Sequence, residues 1–209
     1  AYFGPYATVA LVFVGPAQSS KTELFLNLLT YRVKCDPMDM ILYQTAQHTA
    51  RDFSIRRLDR LIRDTPAVGE RLLPGSSSDN VFDKKFMGML LTLSWPSINE
   101  LSGRPVGCVF QTDYDRMPQN VDGEGSPFDL GRKRTTTFGR NGMTIAESSP
   151  GFTISDPKWM RQTPHEAPPC EGILALYNRG DRRRLNWKCP HCKHWFEPAF
   201  NLLHYPDSR

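Results

Sequence analysis

No run of apolar residues in this chain approaches the ~20 that a spanning helix requires, so no membrane role is expected. The opening Ala1-Tyr2-Phe3-Gly4-Pro5 lacks the charged and apolar zones of a secretory signal, which leaves the cytosol as the default compartment. Cysteine is scarce and odd in number, five in 209 residues, and that argues against a disulfide framework. Internal repeats and extended low-complexity segments are missing. Charge of one sign is missing too: 26 Lys+Arg stand against 22 Asp+Glu, a net charge of +4. The balance is uneven along the chain, with 13 Lys+Arg against 15 Asp+Glu over residues 1–130 and 13 against 7 over residues 131–209. A basic C-terminal third of this size fits nucleic-acid contact, and equally fits an ordinary solvated face. The chain begins without Met and ends soon after a half-finished cysteine motif, and so reads as a fragment of something longer.

What the chain does have is a loop that reads as a phosphate cradle. An apolar run Val9 to Val14 enters Gly15-Pro16-Ala17-Gln18-Ser19-Ser20-Lys21-Thr22, and Leu24, Leu28 and Tyr31 then recur at helical spacing. The frame G-x-x-x-x-G-K-[ST] needs a strand before it and a helix after it, because loop N–H groups and the helix N-terminus form the anion site together. Gly15, Lys21 and Thr22 fit this frame, whereas Ser20 occupies the place of the second glycine, where a Cβ has to be accommodated. The alternative is a plain strand, turn and helix with a surface lysine.

Strands and helices alternate beyond the loop. Met40 to Gln44 reads as a strand, Thr49 to Asp64 as a helix with Phe53, Leu58, Leu61 and Ile62 on one side, and Pro74 to Ser78 as a loop. Phe86 to Leu93 reads as a strand broken at Trp95-Pro96, and Pro105 to Gln111 as a further apolar run. A polar loop Pro118 to Pro127, a short basic helix Phe128 to Phe138 and a strand Met143 to Glu147 follow, and Ile173 to Tyr177 is a last strand candidate. This order predicts an α/β fold, a mostly parallel sheet with helices on both faces and ligands at the C-terminal ends of its strands. With 209 residues the chain is long enough for one such domain plus a small appendage. The boundary is placed near residue 168, giving an ATPase-type domain over 1–168 and a basic, Cys/His-containing linker or partial zinc-ribbon segment over 169–209.

Three groups of residues carry candidate chemistry. Asp113 and Asp115 follow the run that ends at Gln111, where a strand end meets the ligand edge of the sheet; nucleotide hydrolysis wants a carboxylate there for Mg²⁺ and another to orient water. The competing reading is a solvated turn. Cys189-Pro190-His191-Cys192 has the spacing by which two thiolates grip zinc, with Cys170, His191, His194, His204 or residues of a downstream segment as further ligand candidates; a redox pair and loose cysteines are the rivals. Arg179, Arg182, Arg183, Arg184 and Lys188, interleaved with Tyr177 and Trp187, are suited to phosphates and bases, or are simply solvated. Cys35 and Cys108 read as core residues.

Taken in order, these motifs resemble the large subunit of the phage terminase, in its lambda-type GpA family. The stretches that carry the resemblance are Gly15 to Glu23, Arg56-Arg57-Leu58-Asp59 with Ile62-Arg63-Asp64, Phe110 to Pro118, Glu124-Gly125-Ser126-Pro127, Ser148-Ser149-Pro150 and Cys189-Pro190-His191-Cys192. The resemblance implies a P-loop NTPase fold of the RecA/ASCE kind and a DNA-packaging motor whose ATPase domain drives double-stranded DNA through a portal into a procapsid. A nuclease domain is expected further on and is absent from this chain. It further implies ATP and Mg²⁺ as ligands and a small terminase subunit as partner. A homo-oligomeric ring while packaging and the cytoplasm of an infected bacterium as location are implied as well. By the same resemblance Lys21 neutralises the β- and γ-phosphates, Thr22 ligates Mg²⁺, Gln18, Ser19 and Ser20 line the loop, and Ser148 and Ser149 form the coupling motif.

One departure from the family pattern stands out. Family members read Asp-Glu where this chain has Thr112-Asp113, so Asp113 takes the place of the catalytic glutamate, one methylene short, and Thr112 that of the Mg²⁺-supporting aspartate. Three outcomes are open: slow hydrolysis, none, or hydrolysis in which Asp113 serves the metal and Asp115 assists. A degenerate relative that does not hydrolyse nucleotide, a zinc-containing nucleic-acid-binding module and a helicase-like translocase are the competing readings. The last would need a second phosphate loop. Adenine contacts are expected upstream or near Tyr2 and Tyr6.

Overall fold

Short apolar runs that punctuate polar sequence become buried parallel strands, and those strands carry the molecule. A computed structural model describes residues 10–75 and 77–198. Strands β1 (Ala10–Val14), β2 (Met40–Tyr43), β3 (Asp83–Phe86), β4 (Met89–Ser94), β5 (Cys108–Thr112) and β6 (Met143–Ser148) form one sheet in the order β1-β6-β5-β2-β4-β3. All neighbours are parallel except β3, which runs against β4. Every residue of β2, β5 and β6 is buried, as expected of strands covered on both faces.

Helix α1 (Lys21–Cys35) returns from β1 across one face. The helix expected over 49–64 runs as α2 (Gln47–Phe53), a π-helical stretch Ser54–Leu58 and α3 (Asp59–Asp64), followed by the short α4 (Pro66–Gly69). On this face Phe25 packs edge-on against Phe53 and Phe110, with ring centroids 5.8 and 5.0 Å away. The buried stripe of α1 is Phe25, Leu28, Leu29 and Val33, so Tyr31 lies outside it and is exposed. Helices α5 (Ile98–Leu101), α6 (Pro127–Thr135) and α7 (Ile173–Asn178) cover the other face, where Leu101, Phe128, Leu130, Ile173 and Leu176 meet Ile41, Tyr43, Val109 and Ala146. Ser126 accepts from the Asp129 N–H at 3.1 Å with Pro127 next in line, so half of the Glu124-Gly125-Ser126-Pro127 motif is a helix cap. Among the described residues no helix is long and apolar enough to cross a membrane.

Three expectations change. The single strand at 86–93 is an antiparallel pair, β3 and β4, turning at Met87-Gly88: an unbroken apolar run concealed the turn. Ile173 to Tyr177 is helix α7, not a strand, since five apolar residues fit either form and here Ile173 and Leu176 point one face at β1 and β6. Packing therefore continues past residue 168. Cys35, at the last turn of α1, is exposed instead of buried, while Cys108 lies in β5 with its thiol pushed up to about 12 by burial. Replacing Phe25, which is 1% exposed, by Ala should remove about 3–5 kcal/mol of stability, read as a lower urea midpoint with unchanged slope.

Candidate functional site

Because β1, β6 and β5 are adjacent and parallel, their C-terminal ends open on one edge, and the loops that follow meet there. After Val14 the chain turns at Gly15, whose N–H donates to Ser148 O at 3.3 Å. A Cβ on Gly15 would stand 2.5 Å from Ser19 Oγ, so the serine hydroxyl would have to leave its present position. Ser19 Oγ donates to Pro16 O at 2.8 Å and closes the loop on itself. Gln18 and Ser20 adopt left-handed backbone, with φ of 61° and 60°. For residues other than glycine this costs about 1–2 kcal/mol each, which is the local consequence of Ser20 standing where glycine is usual. Ser20 also begins α1 without a side-chain cap, so the first-turn amides are left to an external acceptor.

Lys21 is 9% exposed, and its Nζ donates to Pro16 O at 2.8 Å and to Ser149 Oγ at 3.0 Å. Thr22 is half-buried beside it. The expected coupling pair thus sits between two loops: Ser149 meets the lysine, and Ser148 Oγ accepts from the Asp115 N–H at 3.1 Å.

On the acidic side, Asp113 follows β5 in left-handed backbone with φ of 53°, and its half-buried carboxylate has no hydrogen-bond partner among the described residues. Asp115 is occupied differently. Its Oδ1 accepts from Ile173 N at 2.6 Å and its Oδ2 from Gly151 N at 2.8 Å, tying the segment after β6 and the start of α7 to the acidic turn. Gly172 is required for this, since it has φ of +72° and any Cβ there would collide with Asp115 Oδ1. Asp115 is placed as a clamp.

Sequence reading missed three residues on the same wall. Glu147, the penultimate residue of β6, is 1% exposed and accepts a hydrogen bond from Thr112 Oγ1; its Oε2 is buried without a partner among the described residues. Burial raises its pKa above the usual glutamate value, opposed by the Thr112 hydrogen bond and reinforced by the Asp113 charge. Arg57, presented by the π-helical stretch, and Arg116 complete the set. Together with the loop Gln18 to Thr22 these side chains enclose a cleft of about 780 Å³. In the sequence, Arg57 and Arg116 lay in stretches that carry the family resemblance and Glu147 at the end of an expected strand, each without a role.

The C-terminal segment is less developed. Cys189 and Cys192 lie in the turn of a small hairpin, β7 (Trp187–Lys188) with β8 (Trp195–Phe196), where backbone amides, that of Cys192 first, draw the Cys189 thiol below its usual range. Among the described residues no group of three or more His, Cys, Asp or Glu converges as a metal site needs, so the zinc expectation finds two ligands where a closed site wants four. His204, Tyr2 and Tyr6 lie outside the described residues. The basic cluster is largely engaged: Arg179 holds Asp129 at 2.8 Å, Arg183 holds Asp181 at 2.6 Å, Arg182 donates to Thr163 at 2.6 Å, and Arg184 covers the Tyr177 ring.

A parallel sheet whose first strand runs through a glycine-led loop into a Lys-Thr helix start, with acids at neighbouring strand ends, is the architecture of P-loop NTPases. Residues 3–209 match the family described as phage terminase large subunit gpA, ATPase domain, and the chain belongs to that family. Among solved structures it is similar to the large terminase ATPase domain of Thermus phage P74-26, at 13% identity and a TM-score of 0.45 over 68% of this chain and 59% of that one. An arginine-to-alanine variant of the same domain gives 15% and 0.43, over 71% and 61%. The chain thus spans about three fifths of the structures it resembles. No curated protein matches it.

A glutamate with a raised folded pKa binds its proton more tightly folded than unfolded, so the penalty is absent below the unfolded value of 4.5 and grows as pH rises through the folded one. Glu147→Gln should therefore melt higher than the parent at pH 8 without ligand, and the gain should vanish below pH 4.5.

Proposed function

We propose that this chain is the ATPase motor domain of a phage DNA-packaging terminase large subunit, hydrolysing ATP to move double-stranded DNA into a procapsid. The observation that carries the reading is the lysine: Lys21 begins α1, is buried, and spans from the loop carbonyl of Pro16 to Ser149 across the acid-walled cleft. An ammonium held, among the described residues, by neutral acceptors in such a place favours phosphate oxygens.

In this mechanism the amides from Gln18 to Thr22 receive the phosphates and Lys21 leaves Ser149 for them. Thr22 and Asp113 are the groups that would hold Mg²⁺. The uncommitted carboxylate of Asp113 and the orphaned Glu147 oxygen suit a cation there. When bound, the cation supplies charge neutralisation across the β- and γ-phosphates. Asp113 orients the attacking water, while Arg57 and Arg116 face the charge that develops on the transferred group. Departure of Lys21 frees Ser149, and through Ser148 and Asp115 the change reaches the start of α7. That route gives hydrolysis a mechanical outlet, because movement follows only from a contact that differs between states. The portal, the small terminase subunit, a ring of like subunits and the host cytoplasm complete the proposal at the level of the whole packaging machine.

Thr112, where an aspartate is usual, favours a second reading: a relative that binds nucleotide without turning it over. Lys21→Ala should weaken ATP binding at least about tenfold, measured by titration calorimetry, and unchanged binding would remove the phosphate-site reading. Phosphate release above background that disappears in Asp113→Ala supports the motor, whereas binding without release supports the silent relative.

A further inference from the structure

The last inward-facing side chain of β5 is Thr112, and a threonine offers no negative charge to a cation. Directly beside it in register is Glu147 on β6, since Thr112 and Glu147 are paired Cα partners of two parallel strands. Partners across such a pair stand on one face of the sheet about 4.8 Å apart. The carboxylate is therefore displaced by a single strand spacing, and glutamate is one methylene longer than aspartate, which recovers part of that distance.

The environment of Glu147 is that of a ligand in waiting. It is 1% exposed, on the wall of the cleft that contains Lys21, Thr22 and Asp113. Thr112 fixes one carboxylate oxygen by donating its hydroxyl hydrogen to Oε1, and Oε2 has no partner among the described residues. A buried carboxylate that served packing alone would have both oxygens satisfied, because an unpaired one costs the full desolvation of the group. The lysine acts on Glu147 only through space, its two hydrogen bonds among the described residues going to Pro16 O and Ser149 Oγ.

We propose that Glu147 is the carboxylate that supports the divalent cation accompanying the nucleotide, replacing from β6 the acid that β5 does not carry, with Thr112 as its positioning residue. The proposal rests on the reading that the cleft binds ATP. It assigns Asp113 to the attacking water and relieves it of serving both the metal and the water.

The test compares ATP binding in EDTA with ATP binding in Mg²⁺, by titration calorimetry on the whole chain. Mg²⁺ should tighten binding by the parent. Glu147→Gln keeps the volume and an acceptor for Thr112; the ratio of its affinity in Mg²⁺ to its affinity in EDTA should fall about 10–100-fold below the parent's. The exchange Thr112→Asp with Glu147→Thr, which returns the acid to β5, should restore that gain. Thr112→Val should reduce it and Thr112→Ser should retain it, a distinction that a purely structural role would not produce. A Glu147→Gln chain that keeps the full Mg²⁺ gain overturns the proposal, even if its turnover is lost, since that result would make Glu147 a base instead. A parent chain that binds no ATP under either condition brings down the nucleotide reading and this proposal with it, whereas the former result brings down this one alone.

Discussion

The parallel pairing of β1 with β6 is the constraint from which the cleft follows. Val14 and Ser148 are partners in that ladder, so the phosphate-type loop and the segment Ser148-Ser149 leave the sheet side by side, and the Gly15 amide hydrogen-bonds the Ser148 carbonyl. Because β6 stands between β1 and β5, three consecutive residues, Glu147, Ser148 and Ser149, lie between the lysine loop and the acidic turn. A pleated strand sends alternate side chains to opposite faces, which is why Glu147 joins Thr112 and the start of α1 while Ser148 turns to the Asp115 amide. One register shift along this ladder would exchange those faces and dismantle the site.

What the sequence made legible was what is local in the chain. Strands β2, β5 and β6 showed as short apolar runs because both their faces are covered, and Gly15, Lys21 and Thr22 were found because spacing within eight residues defines them. Phe86 to Leu93 and Ile173 to Tyr177 were misread because an apolar run reports burial without reporting geometry. Glu147 went unnoticed for a different reason. Its meaning comes from Thr112, 35 residues earlier, and only the strand order brings the two together. Asp115 is similar: read as a candidate acid from its neighbour Asp113, it is committed by amides 36 and 58 residues away in Gly151 and Ile173.

Strain and packing divide between the two sides of the sheet edge. Gln18, Ser20 and Asp113 all adopt left-handed backbone around the cleft. Such conformations persist only where the surroundings over-determine them. Here the restraint comes from below: Phe25 of α1 is wedged between Phe53 and Phe110, so the helix that begins at Lys21 is held by aromatic contact to the strand that ends at Thr112. The lysine and the acidic turn thus share one packed foundation, and the strained loops above them are free to change partners without disturbing it.

The electrostatics of the cleft point the same way. Lys21 hydrogen-bonds a carbonyl and a hydroxyl, and Glu147 a hydroxyl, so two buried ionisable groups of opposite sign share the cavity and attract each other through space, with no hydrogen bond between them among the described residues. The fold does not pair them directly: the Lys21 ammonium goes to Pro16 and Ser149, and Glu147 takes its hydrogen bond from Thr112. Phosphate oxygens with a divalent cation bring a counter-charge to each group at once. On the proposed reading, the ligand completes a charge set that the protein leaves open, and taking Lys21 from Ser149 is the cost at which that completion is transmitted to the rest of the domain.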